Sequence, residues 1–327
     1  MLIVHAAAWD SVPADVGVLL AARQARRLGL VAVEAEVAHR FAGVEAAHAT
    51  TFEAAVHGFA AASSGKLGAV RKAVGARFPQ PPALARHRGA IAASLAADRA
   101  KQGSGGLPPR PKRSSLGWDS RHSAYAVKFP GSDASVVRHS QRRLGDSDAA
   151  AELCPRVSVV VLIASLKGLL ITAVVGAVFG FLARFGWGRG LLLRYPRFFS
   201  LGVFTHEGPS PSQLAAGTFT STVTARCMPE QAFRAGGDGG ASVPGRDVVV
   251  TVSGPEPGYV ATPLLFLAVA ATLLDLDPNA PGPESKATCA LPVASGCVTP
   301  AALVGAGPAL DALVRRMAAG GIAVAGI

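Results

Sequence analysis

The sequence predicts an α+β fold carrying one long apolar helix or hairpin, and three features predict it. Residues 31–41 alternate apolar with polar side chains at the period of a half-buried strand. Residues 16–28 and 310–317 read as helices, the first set between cap-forming residues and Gly29, the second amphipathic. Between them, residues 157–183 form a run of 27 with a single charge, Lys167. Half of the 327 residues are hydrophobic but only 6% are aromatic, so a sizeable core would be filled mainly by alanine, valine, leucine and glycine.

The elements follow in chain order. Residues 2–8 make a short apolar strand, broken by Asp10-Ser11-Val12-Pro13-Ala14-Asp15, where Ser11 or Asp15 is placed to cap the next helix. In the strand over 31–41, Val33, Ala35 and Val37 are assigned to one face and Glu34, Glu36 and His39 to the other. Residues 50–62 look helical, with Thr50 or Thr51 as cap. The composition shifts from about 79 to 120, and Gly103-Ser104-Gly105-Gly106 and Pro108-Pro109-Arg110-Pro111 predict a mobile linker over 98–120. Order resumes with a strand at 124–129, the turn Pro130-Gly131-Ser132 and a helix from Asp133 to Leu144. The last third holds strands at 219–225 and 247–252 around the glycine-rich loop 236–240. A helix opened by Pro263 follows, then a Pro/Ala/Gly loop at 278–300, the helix at 310–317 and a terminal strand at 322–327.

Were residues 157–183 wholly helical, they would measure about 40 Å at about 1.5 Å per residue. A bilayer core takes about 20 apolar residues. Lys167 at its centre would cost roughly 3 kcal/mol, less when the ammonium snorkels to the surface. Gly176 and Gly180 form a GxxxG, and Arg184, Arg189, Arg194 and Arg197 follow, suited to anionic headgroups. A hairpin turning at Lys167-Gly168 and dipping into a monolayer fits the same run. The lipid-contacting side chains are then Leu169, Ile171, Val174, Val175, Val178, Phe179, Phe181 and Leu182. A buried core helix is the competing reading.

The net charge of +11 and pI near 10.2 point to polyanionic partners. Sixteen of the basic residues lie between Lys66 and Arg143 against three acids, but aromatic residues are sparse there and no nucleic-acid-binding signature accompanies them. A lipid surface or a solvated face therefore ranks above nucleic acid. The cysteines Cys154, Cys227, Cys289 and Cys297 form no CxxC and have no histidine pair at zinc spacing, so reduced thiols and no metal are expected. No GxGxxG follows a strand, and no complete P-loop, HExxH or GxSxG occurs. Ser63-Ser64-Gly65-Lys66 matches SxxK without its partner motifs, and His39, His48 and His57 fall on different elements.

Several segments resemble the saccharopine dehydrogenase-like oxidoreductases. They are Trp9-Asp10-Ser11-Val12-Pro13-Ala14-Asp15-Val16-Gly17, Gly131-Ser132-Asp133-Ala134-Ser135-Val136-Val137-Arg138 with Gln141-Arg142, and Arg184-Phe185-Gly186-Trp187-Gly188-Arg189. Phe198-Phe199-Ser200-Leu201-Gly202, Gly208-Pro209-Ser210 and Gly254-Pro255-Glu256-Pro257-Gly258-Tyr259-Val260-Ala261-Thr262-Pro263 complete the set, in family order. The resemblance implies the mixed-sheet substrate domain of a two-domain dehydrogenase that uses NAD or NADP, with the Rossmann domain and its binding site falling before Met1. It divides the chain into a Rossmann-end remnant and junction at 1–15, a first α+β part at 16–150, an apolar lipid-contacting part at 151–200 and a C-terminal α+β part at 201–327. It further implies a lipid-like substrate, an intracellular lipid-droplet or mitochondrial membrane location and glycolipid or related lipid metabolism, and is compatible with a homodimer. A non-enzymatic membrane or lipid-droplet scaffold is the alternative.

On this resemblance Asp10, Ser11 and Asp15 lie at the domain junction where cofactor and substrate meet, against a reading as helix caps beside a proline-fixed turn. Ser132 and Asp133 head a helix, where capping again competes with a substrate-facing role. Tyr259 and Thr262 sit on a loop leading into a helix, where a tyrosine hydroxyl could donate a proton in a reduction. No residue is assigned as catalytic.

Overall fold

Residues 1–100, 116–235, 245–276 and 296–327 are described by a computed structural model. In chain order come β1 (Leu2–Val4), α1 (Val12–Arg27), β2 (Leu30–Ala42), β3 (Ala47–His48), α2 (Ala49–Ser63), α3 (Lys66–Arg77) and α4 (Pro82–Ala100). Next are β4 (Leu116–Asp119), β5 (Ala124–Lys128), α5 (Asp133–Leu144), α6 (Asp148–Ala151), β6 (Arg156–Ile163), α7 (Leu166–Ala183), α8 (Gly186–Arg194) and α9 (Pro196–Phe199). Then follow β7 (Phe204–Thr205), α10 (Pro211–Ala216), β8 (Thr218–Pro229), α11 (Glu230–Arg234), β9 (Arg246–Pro255), a π-helical turn (Pro257–Ala261) and α12 (Thr262–Leu276). β10 (Gly296–Val298), α13 (Pro300–Val304), α14 (Pro308–Ala319) and β11 (Ala323–Ala325) close the chain.

Seven strands form one mixed sheet in the order β11-β9-β8-β2-β6-β5-β4. Only β2 and β6 pair in parallel; the other neighbours are antiparallel. β1 pairs in parallel with β10, which brings the two ends of the described chain together, and β3 pairs with β7. On one face of the sheet lies α1, buried along nearly its whole length, including Asp15 and Arg23. It packs with α5, α12, α13 and α14 into the principal core. Gly17 permits this closeness, because a Cβ there would meet Val223 Cγ2 at 2.9 Å. A second cluster, Val31, Val33, Ile91, Leu95 and Phe233, seats α4 and α11 on the opposite face.

The expected α+β class and mixed sheet agree with this arrangement, but several local expectations are corrected. Residues 157–183 are not one helix: 156–163 are β6, an interior strand, and the helix begins at Leu166. The β-branched run of Val157, Val159, Val160 and Val161 favours a strand. Ser165 then caps α7 by accepting from the Gly168 N–H at 3.1 Å, leaving Lys167 in the first turn. α1 starts at Val12, earlier than expected, and Ser11 occupies its cap position with no side-chain cap bond. α2 is capped by His48, whose ring accepts from the Thr50 N–H at 3.2 Å, not by Thr50 or Thr51.

The expected linker over 98–120 is narrower than drawn. Residues up to Ala100 continue α4 and residues from Leu116 form β4, while 101–115 lie outside the described residues. Helices α3 and α4 were not anticipated. The loop at 278–300 likewise yields β10 and the start of α13 at its end; residues 277–295 with Cys289, and the loop 236–240, lie outside the described residues. Within β2, Val31 and Val33 share one face, and a register shift between Ala32 and Glu34 puts Ala35 and Val37 on the other. Beyond that bulge Ala35, Val37, His39 and Phe41 share the α1 face, so His39 sits opposite its assigned side.

Candidate functional site

The turn Trp9-Asp10-Ser11 delivers three different side chains to the start of α1. The Trp9 indole lies against His39, Phe41 and Phe219, with ring centroids 5.5, 5.2 and 5.6 Å away. Its backbone N–H donates to Thr262 Oγ1 at 3.3 Å, and that hydroxyl donates to the Pro257 carbonyl at 2.9 Å. The first family-like segment is thus tied directly to the last.

Beneath Trp9 lies a buried polar chain. His39 is directly opposite Ser221 in the β2–β8 register, which places both side chains on one face. His39 Nδ1 meets Ser221 Oγ at 2.8 Å, and Nε2 meets Asp133 Oδ2 at 3.0 Å. With Asp133 ionised, Nε2–H donates to the carboxylate and the Ser221 hydroxyl donates to Nδ1. All three side chains are buried at 0–1% exposure, so this Ser–His–Asp order presents no nucleophile to a substrate. Asp133 Oδ1, Ser11 Oγ and Trp9 Nε1 are buried without a hydrogen-bond partner. Asp10 is exposed, yet its carboxyl is raised above the usual range, by partial enclosure first and by the neighbouring Asp133 charge second.

Asp15 serves a separate purpose. Its Oδ1 accepts from Ser140 Oγ of α5 at 2.5 Å and its Oδ2 from the Ala301 N–H of α13 at 2.9 Å. Ser140 Oγ also bonds Thr299 Oγ1. Burial is the largest influence on this carboxyl and lifts its pKa to about 6, against the lowering effect of Ser140 and Ala301. Asp15 therefore staples three helices that the chain brings together from its two ends.

The π-helical turn is held by Glu256, which accepts from the Gly258 and Tyr259 N–H groups at 2.8 and 2.6 Å. Tyr259 points away from the buried chain: its hydroxyl accepts from the His48 N–H at 2.7 Å, between β3 and α12. Ser132 is exposed and makes no cap bond. The structure thus assembles Asp10, Ser11, Asp133 and Thr262 around Trp9, and separates Ser132 and Tyr259 from them. His39, Ser221, Ser140 and Thr299 were missed as site residues. The period-two parity of His39 with Val37 was the one available signal for His39.

A second feature lies beyond the sheet. α2, α8 and the end of α7 share a small core of Phe52, Val56, Leu182, Ala183 and Leu192. Leu182 faces this core and is corrected from the lipid-contacting set; Phe179 is half-buried between Phe52 and Phe59, with centroids 5.3 and 5.2 Å away. Leu169 and Val175 are half-buried, whereas Ile171, Val174, Val178 and Phe181 are exposed. A groove of about 560 Å³ runs between Val174, Val178, Phe198 and Leu201, with Arg197 at its side. Among the described residues α7 and the segment Pro257–Leu274 are long and apolar enough to cross a membrane, by length and composition only. Gly188 lets α8 turn against α7, since a Cβ there would collide with the Leu182 carbonyl oxygen. Gly188→Ala is expected to destabilise the protein by about 1–3 kcal/mol, read as a fall in the thermal midpoint.

Known proteins are similar to this chain over most of its length. The chain is 29% identical over 316 residues to a saccharopine dehydrogenase-like oxidoreductase of Homo sapiens, covering 96% of this chain and 63% of that relative. A probable mitochondrial saccharopine dehydrogenase-like oxidoreductase of Arabidopsis thaliana is 28% identical over 286 residues, 81% of this chain and 57% of the relative. Over most of its length the chain is thus similar to saccharopine dehydrogenase-like oxidoreductases, at 28–29% identity. A protein of Caenorhabditis elegans named a lipid droplet localized protein is also similar, 27% identical over 290 residues, 85% of this chain and 59% of that protein. The chain thus spans about three fifths of the length of the curated relatives it matches. No family profile and no solved structure matches it.

The name of these relatives implies a nicotinamide cofactor, but the described residues here offer it no phosphate cradle. After the parallel strand β6 the chain enters α7 through Ala164 and Ser165, without a glycine turn, and Ser165 Oγ already takes the Gly168 N–H. Among the described residues no group of three His, Cys, Asp or Glu side chains is placed to hold a metal.

Proposed function

We propose that this chain is the substrate-side, lipid-facing portion of an NAD(P)-dependent reductase that acts on a lipid-like substrate at a membrane or lipid-droplet surface. The exposed apolar flank of α7 carries this reading: Leu170, Val174 and Phe181 are each more than half exposed, beside Phe198 at 74%. A contiguous apolar surface of this kind marks a protein or lipid contact. The name of the Caenorhabditis elegans relative supports the lipid choice, and the family name supports oxidoreductase chemistry. In this reading Asp10 and Thr262, beside Trp9, face the junction with the cofactor-binding part. Much of the basic excess elsewhere is engaged internally: Arg121 bonds Glu36 and Asp119 at 2.6 and 2.8 Å, and Arg86 bonds Asp148 at 2.8 Å.

Flotation of the purified chain with phospholipid vesicles or artificial droplets tests the lipid reading. The double substitution Gly176→Asp, Val178→Asp is expected to abolish flotation. Gly176 has open space where a side chain would go and Val178 is 43% exposed, so the variant should retain its fold by circular dichroism. Flotation equal to the unsubstituted chain would end the lipid reading.

A further inference from the structure

The connectivity around α7 decides how it can meet lipid. β6 is an interior strand, and two residues, Ala164 and Ser165, link it to α7. After α7 the chain passes through α8, α9, β7 and α10 and returns to the same sheet as β8, which pairs with β2 over Thr218–Pro229. A single crossing by α7 would strand α8–α10 on the far side, and a second crossing would be needed to bring β8 back. Residues 184–217 are all described and contain no such helix; the longest there, α8, has 9 residues. Those elements also stay with the body. Leu192 of α8 packs with Phe52 and Val56 of α2, Phe204 lies 5.4 Å from Phe52, and β7 pairs with β3. One side of α7 is likewise held by Phe52 and Phe59 through Phe179.

Charge narrows the kind of lipid. Residues 157–206 contain five basic residues, Lys167, Arg184, Arg189, Arg194 and Arg197, and no acid. Arg189 is occupied, donating to the Ala183 and Arg184 carbonyls at 3.2 and 3.3 Å. Arg194 stands over the Tyr195 ring at 5.6 Å, and Arg197 flanks the apolar groove. Glu207 is the next acid along the chain and shares a neighbouring hollow with Arg194 and Arg197.

Resting on the lipid reading above, we propose that α7, α8 and α9 form a one-leaflet seat for an anionic phospholipid surface. α7 lies in the plane of that surface and does not cross it. Its outer flank, with Phe181, Phe185, Trp187 and Phe198, enters the acyl layer, while Arg184, Arg194 and Arg197 meet headgroup phosphates. An in-plane helix of this kind buries one apolar side only, and adjacent cations strengthen its hold on anionic lipid.

The test uses the purified chain with vesicles of phosphatidylcholine alone and of phosphatidylcholine mixed with phosphatidylserine. The mixed vesicles should bind more tightly, and Arg194→Gln with Arg197→Gln should weaken that binding about 30-fold while leaving the neutral vesicles unaffected. Depth comes from Val174→Trp in a Trp118→Phe, Trp187→Phe background. Its fluorescence should be quenched by acyl chains brominated near the headgroup and spared by chains brominated near the bilayer centre. Quenching from the centre would show a crossing helix and overturn the one-leaflet seat. Equal affinity for both vesicle types would overturn the anionic preference and leave the lipid reading standing. Binding to neither would end both.

Discussion

Replacing His39 by alanine is expected to lower the free energy of unfolding by about 3–5 kcal/mol, among the largest single-residue effects in this protein. Asp133 Oδ1 already lacks a partner, and Oδ2 depends on His39 Nε2 at 3.0 Å. Without the imidazole, a carboxyl at 1% exposure would have nothing to bond, and a hole would open beneath Trp9 and beside Phe129. Ser221→Ala removes one hydrogen bond and keeps the His39–Asp133 contact, so its cost should stay near 1 kcal/mol. Denaturant unfolding followed by circular dichroism measures both. A loss below about 1 kcal/mol for His39→Ala would mean that water reaches Asp133, and the closed buried chain would be wrong.

Asp15 governs the second large effect, and pH reveals it. Its carboxyl is raised from 3.8 to about 6 in the folded protein, so between those values the native state binds the proton more tightly than the unfolded chain. Stability supplied by the protonated form is therefore complete below about pH 4 and declines as pH rises through about 6, by about 3 kcal/mol in all. The substitution Asp15→Asn imitates the protonated carboxyl, with the new amide N–H donating to Ser140 Oγ and the new carbonyl accepting the Ala301 N–H. The gap between Asp15→Asn and the unsubstituted protein should thus move in favour of the variant as pH rises from 4 to 7. Other titrating groups cancel in that difference. Asp15→Ala leaves the Ala301 N–H and the Ser140 hydroxyl unmatched and should cost about 2–4 kcal/mol near pH 4, and less as pH rises through about 6, because only the unsubstituted protein loses the titrating contribution. A gap that does not change with pH would mean that Asp15 is not held protonated by burial.

What could be read in advance follows from the range of each interaction. The helix from Asp133 to about Leu144 was legible, because its limits are set by a turn, an acidic first residue and a following glycine, all local. The strands β8 and β9 were placed by their threonine and valine runs. Residues 157–163 were not, because a continuous apolar run fits a buried strand as well as a helix, and only pairing with β2 and β5 distinguishes them. Helices α3 and α4 were obscured by the basic residues and glycines around them; α4 is held through Ile91 and Leu95, one helical turn apart, against Val31 and Val33, a short apolar repeat in a stretch otherwise read as linker-like.

The candidate site was legible only as fragments. The segments around Asp10, Asp133 and Thr262 drew notice as motifs, but their meeting at Trp9 depends on contacts such as the Trp9–Thr262 bond, 253 residues apart. His39 has the same period-two parity as Val37 and shares its face, so grouping it with Glu34 and Glu36 ran against the alternation itself; what left no mark on the apolar–polar pattern is the bulge, which parts Val33 from Ala35 and Val37.

The sequence by itself determined the α+β class, the apolar run that becomes α7, the basic collar behind it and the family resemblance. Each of these rests on the order and spacing of neighbouring residues. Only the tertiary structure decided that His39 joins Ser221 and Asp133, that Asp15 bonds Ala301 across 286 residues, and that α7 is closed on one side by α2 and returned to its own sheet. Those outcomes depend on which strands pair and which faces meet. Such choices are made by burial of the whole core, and no short stretch of chain contains them.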